Sequence, residues 1–213
     1  MTIRFRGSLD IDMAALTQNK PAASLLTLGE GKPARVCFVC TGNTCRSPMA
    51  EAIFRYESRR LGLGVSVSSA GTDVHEGRGL NLYSLRTLVN HGLSLENFCP
   101  TSLTVEMLEN ADAVVCMTEE QKERLLAYAR RSMQEAVEKI YAFSDFCGVT
   151  IADPFGLSMD AYEATYLALE GGMSAMIEKL FAEKLPSKHT ETSINNQQTG
   201  AAADDPKTEE ETK

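Results

Sequence analysis

Residues 35–49, RVCFVCTGNTCRSPM, constrain the fold more than any other stretch. Val36, Phe38 and Val39 are β-formers in a short apolar run closed by a turn signal, the pattern of a buried strand. Ser47 is an N-capping residue type, and Pro48 suits the first helical position, where its missing N–H costs nothing. Residues 40–46 lie between as a tight loop, with Gly42 and Asn43 available for unusual dihedrals. A strand, a loop of small residues and a helix together aim several N–H groups and a helix dipole at one anion.

The loop carries a nucleophile and a counter-charge. A free thiol titrates near 8.5, but beside a helix N-terminus and a cation thiols fall to roughly 3.5–7.5. Cys40 ends the strand, and Arg46 offers a planar fork that can hold two oxygens. Ser47 can donate a hydrogen bond to the thiolate. The cradle suits an oxyanion with three equatorial oxygens, such as a phosphoryl group in transfer. The bare Cys-x5-Arg spacing is weak, because six Cys and twelve Arg in 213 residues give about a third of a match by chance. The flanking strand, the Ser-Pro and the helical pattern that follows make the case.

With those flanks, residues 39–51, VCTGNTCRSPMAE, resemble the phosphate-binding loop of the low-molecular-weight protein-tyrosine phosphatase family. The likeness is greatest to the bacterial branch that includes protein-arginine phosphatases, and it covers roughly residues 34–185.

The rest of the chain fits one domain. The net charge of −8 argues against a general nucleic-acid binder. From residue 187 onward Lys188, Lys207 and Lys213 stand against Glu191, Asp204, Asp205, Glu209, Glu210 and Glu211, so −3 of it sits in a polar stretch. No run approaches the roughly 18 apolar residues of a membrane span, and charges interrupt the amino terminus where a signal core would lie. The cysteines at 37, 40, 45, 99, 116 and 147 form no repeated metal-type pair. Cys37 and Cys40 point to opposite faces of a strand. A cytoplasmic protein with reduced thiols is expected.

Three divisions follow: an extension over 1–33, a catalytic domain over 34–185 and a disordered acidic tail over 186–213. After the loop, Met49, Ala52, Ile53 and Tyr56 recur at helical spacing. Val65, Val67 and Ala70 mark a second strand ending at Gly71, and residues 73–79 are a polar loop over the site. His75 there is expected to be solvated. A helix over 80–92 should turn Leu82, Leu85, Leu88 and Val89 inward. A short helix over 105–110, a strand over 113–117, a helix capped by Thr118 and Gln121, and a strand over 139–143 come next. The last helix spans 158–185, with Tyr162, Tyr166, Leu169, Met173, Met176, Ile177 and Leu180 on one face. Gly171 and Gly172 within it imply close packing or a kink. This alternation predicts an α/β fold: a four-stranded parallel sheet flanked by helices, flavodoxin-like as in the family, with ligands at the strands' carboxyl ends.

Pro154 keeps Asp153 extended and Gly156 permits a sharp turn, so a carboxyl can overhang a site built elsewhere. The family's general acid lies on such an Asp-Pro loop, so the resemblance assigns that role to Asp153. It makes Cys40 the nucleophile and Arg46 the phosphate clamp, with Thr41, Gly42, Asn43, Thr44, Cys45 and Ser47 binding phosphate. A phosphocysteine mechanism on phosphorylated proteins is expected, with no metal and no cofactor, because Arg46 and the helix dipole supply the positive field. In tyrosine-directed members the position of Thr44 usually holds a branched aliphatic residue. In the arginine phosphatases it is Thr, and Phe155-Gly156 also match, so phosphoarginine is favoured over phosphotyrosine. By the same likeness, Cys45 can form a reversible disulfide that protects Cys40. Arsenate reductases share the loop, but the thioredoxin-coupled ones need two shuttling cysteines, and only Cys116 lies near the required strand end. A non-catalytic phosphate-binding module would be expected to lack Cys40, Arg46 or Asp153, and all three are present. The residues indicate neither the oligomeric state nor the physiological target.

Overall fold

The computed structural model describes residues 2–3 and 32–181. Most of the expected extension and the whole of the expected tail lie outside those residues. Four strands, β1 (Ala34–Cys40), β2 (Val65–Gly71), β3 (Ala113–Cys116) and β4 (Ile140–Ala142), pair entirely in parallel in the order β2-β1-β3-β4. β1 is central and buried along nearly its whole length, as a strand covered on both faces must be.

The pleat divides its side chains. Val36, Phe38 and Cys40 enter a core shared with α1 (Arg46–Arg60) and α6 (Met159–Phe181). Cys37 and Val39 enter a second core, with Leu108 of α3 (Val105–Asn110) and Leu125 of α4 (Glu119–Ser132). The two cysteines therefore do face opposite ways, and burial pushes the Cys37 thiol up to about 12. β2 and β3 flank β1 on opposite sides. The chain thus reverses its direction of build beside the carboxyl end of β1, where doubly wound sheets bind ligands. Cys40 ends that strand.

Several elements depart from expectation. Ser47 is not the cap of α1. The helix begins at Arg46 with Cys45 at the cap position and no side-chain cap, because the Ser47 hydroxyl is engaged elsewhere. Tyr56 is 53% exposed rather than inward. α2 (Leu82–Asn90) buries Ser84, Thr87 and Leu88, while Leu82, Leu85 and Val89 stay exposed. Its small polar face lies against α1 and α6, and the apolar stripe is left outside. Gln121 completes only half of the expected capping box. Its N–H donates to Thr118 Oγ1, but its carbonyl oxygen accepts from Met117 N. The inward face of α6 is as expected over the described residues. Of its glycine pair, Gly172 has a packing reason: a Cβ there would lie 2.5 Å from the Phe143 ring and 2.7 Å from Cys147 Sγ.

Candidate active site

The loop after β1 is held from outside by its carbonyls. Cys40 O accepts from Thr72 N at 3.0 Å, Thr41 O from Asp73 N at 2.8 Å, and Thr44 O from Asn81 N at 3.0 Å. In a trans peptide the next residue's N–H points opposite to the carbonyl. The N–H groups of Thr41, Gly42 and Cys45 are therefore turned away from those donors. Gln121 Nε2 donates to Thr41 Oγ1 at 3.2 Å, tying α4 to the same loop. Gly71 lets β2 approach closely, since a Cβ there would sit 2.6 Å from Thr41 O. Of the two residues expected in unusual dihedrals, only Asn43 adopts one, with φ 51°.

Asn43 is the organising side chain. Thr101 N can only donate, and it donates to Asn43 Oδ1 at 2.8 Å, which fixes the orientation of the amide. Asn43 Nδ2 then gives one hydrogen to Ser47 Oγ and the other to Ser69 Oγ, both at 2.9 Å. Ser69 passes its own hydrogen to Glu51 Oε2 at 2.6 Å. Ser47, having accepted from Asn43, has two neighbours for its own hydrogen, Cys40 Sγ at 3.0 Å and Ala70 O at 3.5 Å. Burial raises the Glu51 carboxyl above the ordinary range, opposed by Ser69 and by the ion pair with Arg55.

Arg46 opens α1 and is 5% exposed. Its Nη1 donates to Ile151 O at 3.5 Å and its Nη2 to Asp153 Oδ2 at 2.5 Å. The Asp153 side chain is 49% exposed, and its Oδ1 accepts from Phe155 N at 3.2 Å. The Asp-Pro loop thus overhangs the β1 loop, as expected. Phe155 is 53% exposed, with the Arg78 guanidinium 5.6 Å from its ring centroid.

The sequence profile of the low molecular weight phosphotyrosine protein phosphatases matches residues 35–187. The chain belongs to that family. It is 34% identical to a protein-arginine-phosphatase of Bacillus subtilis (strain 168), over 68% of this chain and 95% of the relative. Among solved structures it resembles a low molecular weight protein tyrosine phosphatase from T. tengcongensis, at 36% identity and TM-score 0.63, covering 69% of this chain and 99% of that one. It also resembles an arginine phosphatase with a cysteine-to-serine mutation and a phosphorylated active-site serine, at 32% identity and TM-score 0.62, covering 68% of this chain and 94% of that one.

Within this phosphatase the sequence-predicted residues fall into two linked sets: Cys40, Ser47 and Asn43 joined by hydrogen bonds, and Arg46, at the start of the helix that follows their loop, paired with Asp153. Thr44 is nearly buried, with its hydroxyl 3.5 Å from Cys45 Sγ. Cys45 Sγ also lies 3.4 Å from the hydroxyl of Tyr162, whose phenol burial pushes well up. His75 is exposed. Cys116 is buried in β3, and burial raises its thiol. Sequence reasoning did not assign Glu51, Thr101, Gln121 or Tyr162 to the site. Glu51 stood within the quoted motif, and an acid on the inward side of an apolar helix was the available signal.

Proposed function

We propose that this phosphatase hydrolyses phosphorylated protein side chains through a phosphocysteine on Cys40, with phosphoarginine preferred over phosphotyrosine. The Cys40 thiolate attacks phosphorus, forming the S–P bond as the bond to the leaving nitrogen or oxygen breaks. Asp153 donates the proton that the leaving group takes. The Asp153 carboxylate then accepts a proton from water, whose oxygen bonds phosphorus as the S–P bond breaks, releasing phosphate and restoring the thiolate. The N–H groups of Thr41, Gly42 and Cys45, with Arg46, stabilise the equatorial charge. Asn43 and Ser47 hold the sulfur in place, and Arg46 and the start of α1 supply the positive field.

One contact carries the reading. Arg46, buried beside the loop that bears Cys40, pairs with the half-exposed Asp153 from the far end of the domain. That pairing supports reading Cys40, Arg46 and Asp153 as nucleophile, clamp and acid of one site. The relative with a phosphorylated serine and a mutated cysteine adds support. The preference rests on Thr44, whose polar side chain is suited to a guanidinium, and on the likeness to arginine phosphatases. Phosphotyrosine is the second reading, favoured by the exposed Phe155 ring at the rim, on which a phenol can stack. A cytoplasmic setting with reduced thiols suits either substrate, and the family likeness makes Cys45 the partner that would trap an oxidised Cys40 as a disulfide.

The deciding assay compares phosphoarginine and phosphotyrosine proteins side by side, with Thr44→Ile as the second arm. The expected result is a phosphoarginine preference in the native enzyme that shifts toward phosphotyrosine by about tenfold in Thr44→Ile, the scale of one hydrogen bond. A tyrosine preference unaffected by the substitution contradicts the arginine assignment.

A further inference from the structure

Three elements meet at the sulfur of Cys45. The residue occupies the cap position of α1, and its Sγ lies 3.4 Å from the Tyr162 hydroxyl and 3.5 Å from Thr44 Oγ1. Tyr162 stands near the start of α6 and is buried, with its ring edge-on to Tyr83 of α2 at a centroid distance of 5.4 Å. The main chain of Thr44 is tied to the lead of that same helix, since Thr44 O accepts from Asn81 N at 3.0 Å. Chemistry assigns the hydrogens of the cluster. A hydroxyl is a good donor, whereas S–H is a weak one. Cys45 Sγ is the partner of the buried Tyr162 hydroxyl, and a phenol hydrogen turned away from it would be a buried donor left unmade. Burial pushes the phenol up, so it keeps that hydrogen. Tyr162 therefore donates to the sulfur, and Thr44, whose hydroxyl has the same partner, donates to it as well.

We infer that Tyr162 is a positioning residue for substrate choice: by fixing the Cys45 sulfur, its hydroxyl makes Thr44 a hydrogen-bond acceptor toward the group that carries the phosphate. The inference rests on the reading of Thr44 as the specificity residue. With its hydrogen committed to the sulfur, Thr44 Oγ1 has only lone pairs left to offer. It stands 3.6 Å from where a Cβ of residue 42 would sit, so the glycine leaves the oxygen uncovered on that side. A guanidinium has N–H donors and no acceptor, and phosphoarginine brings such donors next to phosphorus. The bridging oxygen of a phenyl phosphate carries no hydrogen and gains nothing from an acceptor. Without the Tyr162 hydroxyl the sulfur loses its buried anchor, and the Thr44 hydrogen is no longer held away from the substrate. The role belongs to the hydroxyl and not to the ring, which packs on Tyr83.

The test is a double-mutant cycle in the full chain. kcat/KM is measured on a phosphoarginine protein and a phosphotyrosine protein for the native enzyme, Tyr162→Phe, Thr44→Val and the double variant. Thr44→Val removes the hydroxyl and keeps the branched shape, and Tyr162→Phe keeps the ring against Tyr83. The ratio of phosphoarginine to phosphotyrosine kcat/KM should fall by about three- to tenfold in Tyr162→Phe, the scale of one hydrogen bond. It should fall no further when Tyr162→Phe is added to Thr44→Val. Cys45→Ala, which takes out the shared sulfur, should likewise cancel the effect of Tyr162→Phe. An unchanged ratio in Tyr162→Phe, or a fall of the same size in the Thr44→Val background, overturns the inference. So does equal slowing of both substrates, the result that a purely structural role would give. The preference itself is read from the native enzyme alone: a native preference for phosphotyrosine overturns the arginine assignment, while the change in ratio and its dependence on the Thr44 hydroxyl still decide the role of Tyr162.

Discussion

At the scale of single residues, the proposed mechanism turns on Cys40, Arg46 and Asp153. Asp153 reaches Arg46 from a loop remote in sequence, and its carboxyl is half-exposed. Asp153→Asn should slow substrates with poor leaving groups by about 10²–10⁴, the usual range for loss of general acid catalysis, and slow activated aryl phosphates far less. Steady-state kcat/KM across a leaving-group series measures this, and equal slowing throughout removes Asp153 from the acid role. The places of Cys40, Arg46 and Asp153 in the fold were legible because each sits in a short segment with its own turn chemistry. The network behind them was not. Asn43 is oriented by Thr101 N, a main-chain donor that any residue type could supply. Ser69 and Glu51 reach Asn43 only through the register of β1 with β2 and the pitch of α1.

At the scale of elements, the strands were legible because β1 and β3 are buried on both faces and carry unbroken apolar runs. α2 was misread for a physical reason. Its close contacts use Ser84 and Thr87, so hydrophobicity points to the wrong face. The glycines of α6 give a sharper test. Gly171 has open space around its missing Cβ, while Gly172 meets Phe143 and Cys147. Gly171→Ala should therefore stabilise by up to about 1 kcal/mol through helix propensity. Gly172→Ala should destabilise by about 1–3 kcal/mol through overpacking. Thermal denaturation reads both, at roughly 2–4 °C per kcal/mol for a chain of this size. Equal shifts of one sign would show that packing at Gly172 is not what distinguishes the pair.

At the scale of the whole molecule, two cores on either side of one sheet hold the site at the sheet's carboxyl edge. No helix among the described residues is long and apolar enough to cross a membrane. The family profile matches residues 35–187. We propose that the chain beyond 185 is dispensable for turnover. Truncation there should leave kcat/KM and Tm unchanged in a parallel assay with the full chain, and loss of activity would contradict that division. The central claim is tested most directly by quenching a turnover mixture in acid and locating the phosphate on the protein by mass spectrometry. The account predicts phosphate on the sulfur of Cys40 in the native enzyme and loss of turnover in Cys40→Ser; phosphate on another residue of the native enzyme, or full turnover in Cys40→Ser, would contradict it.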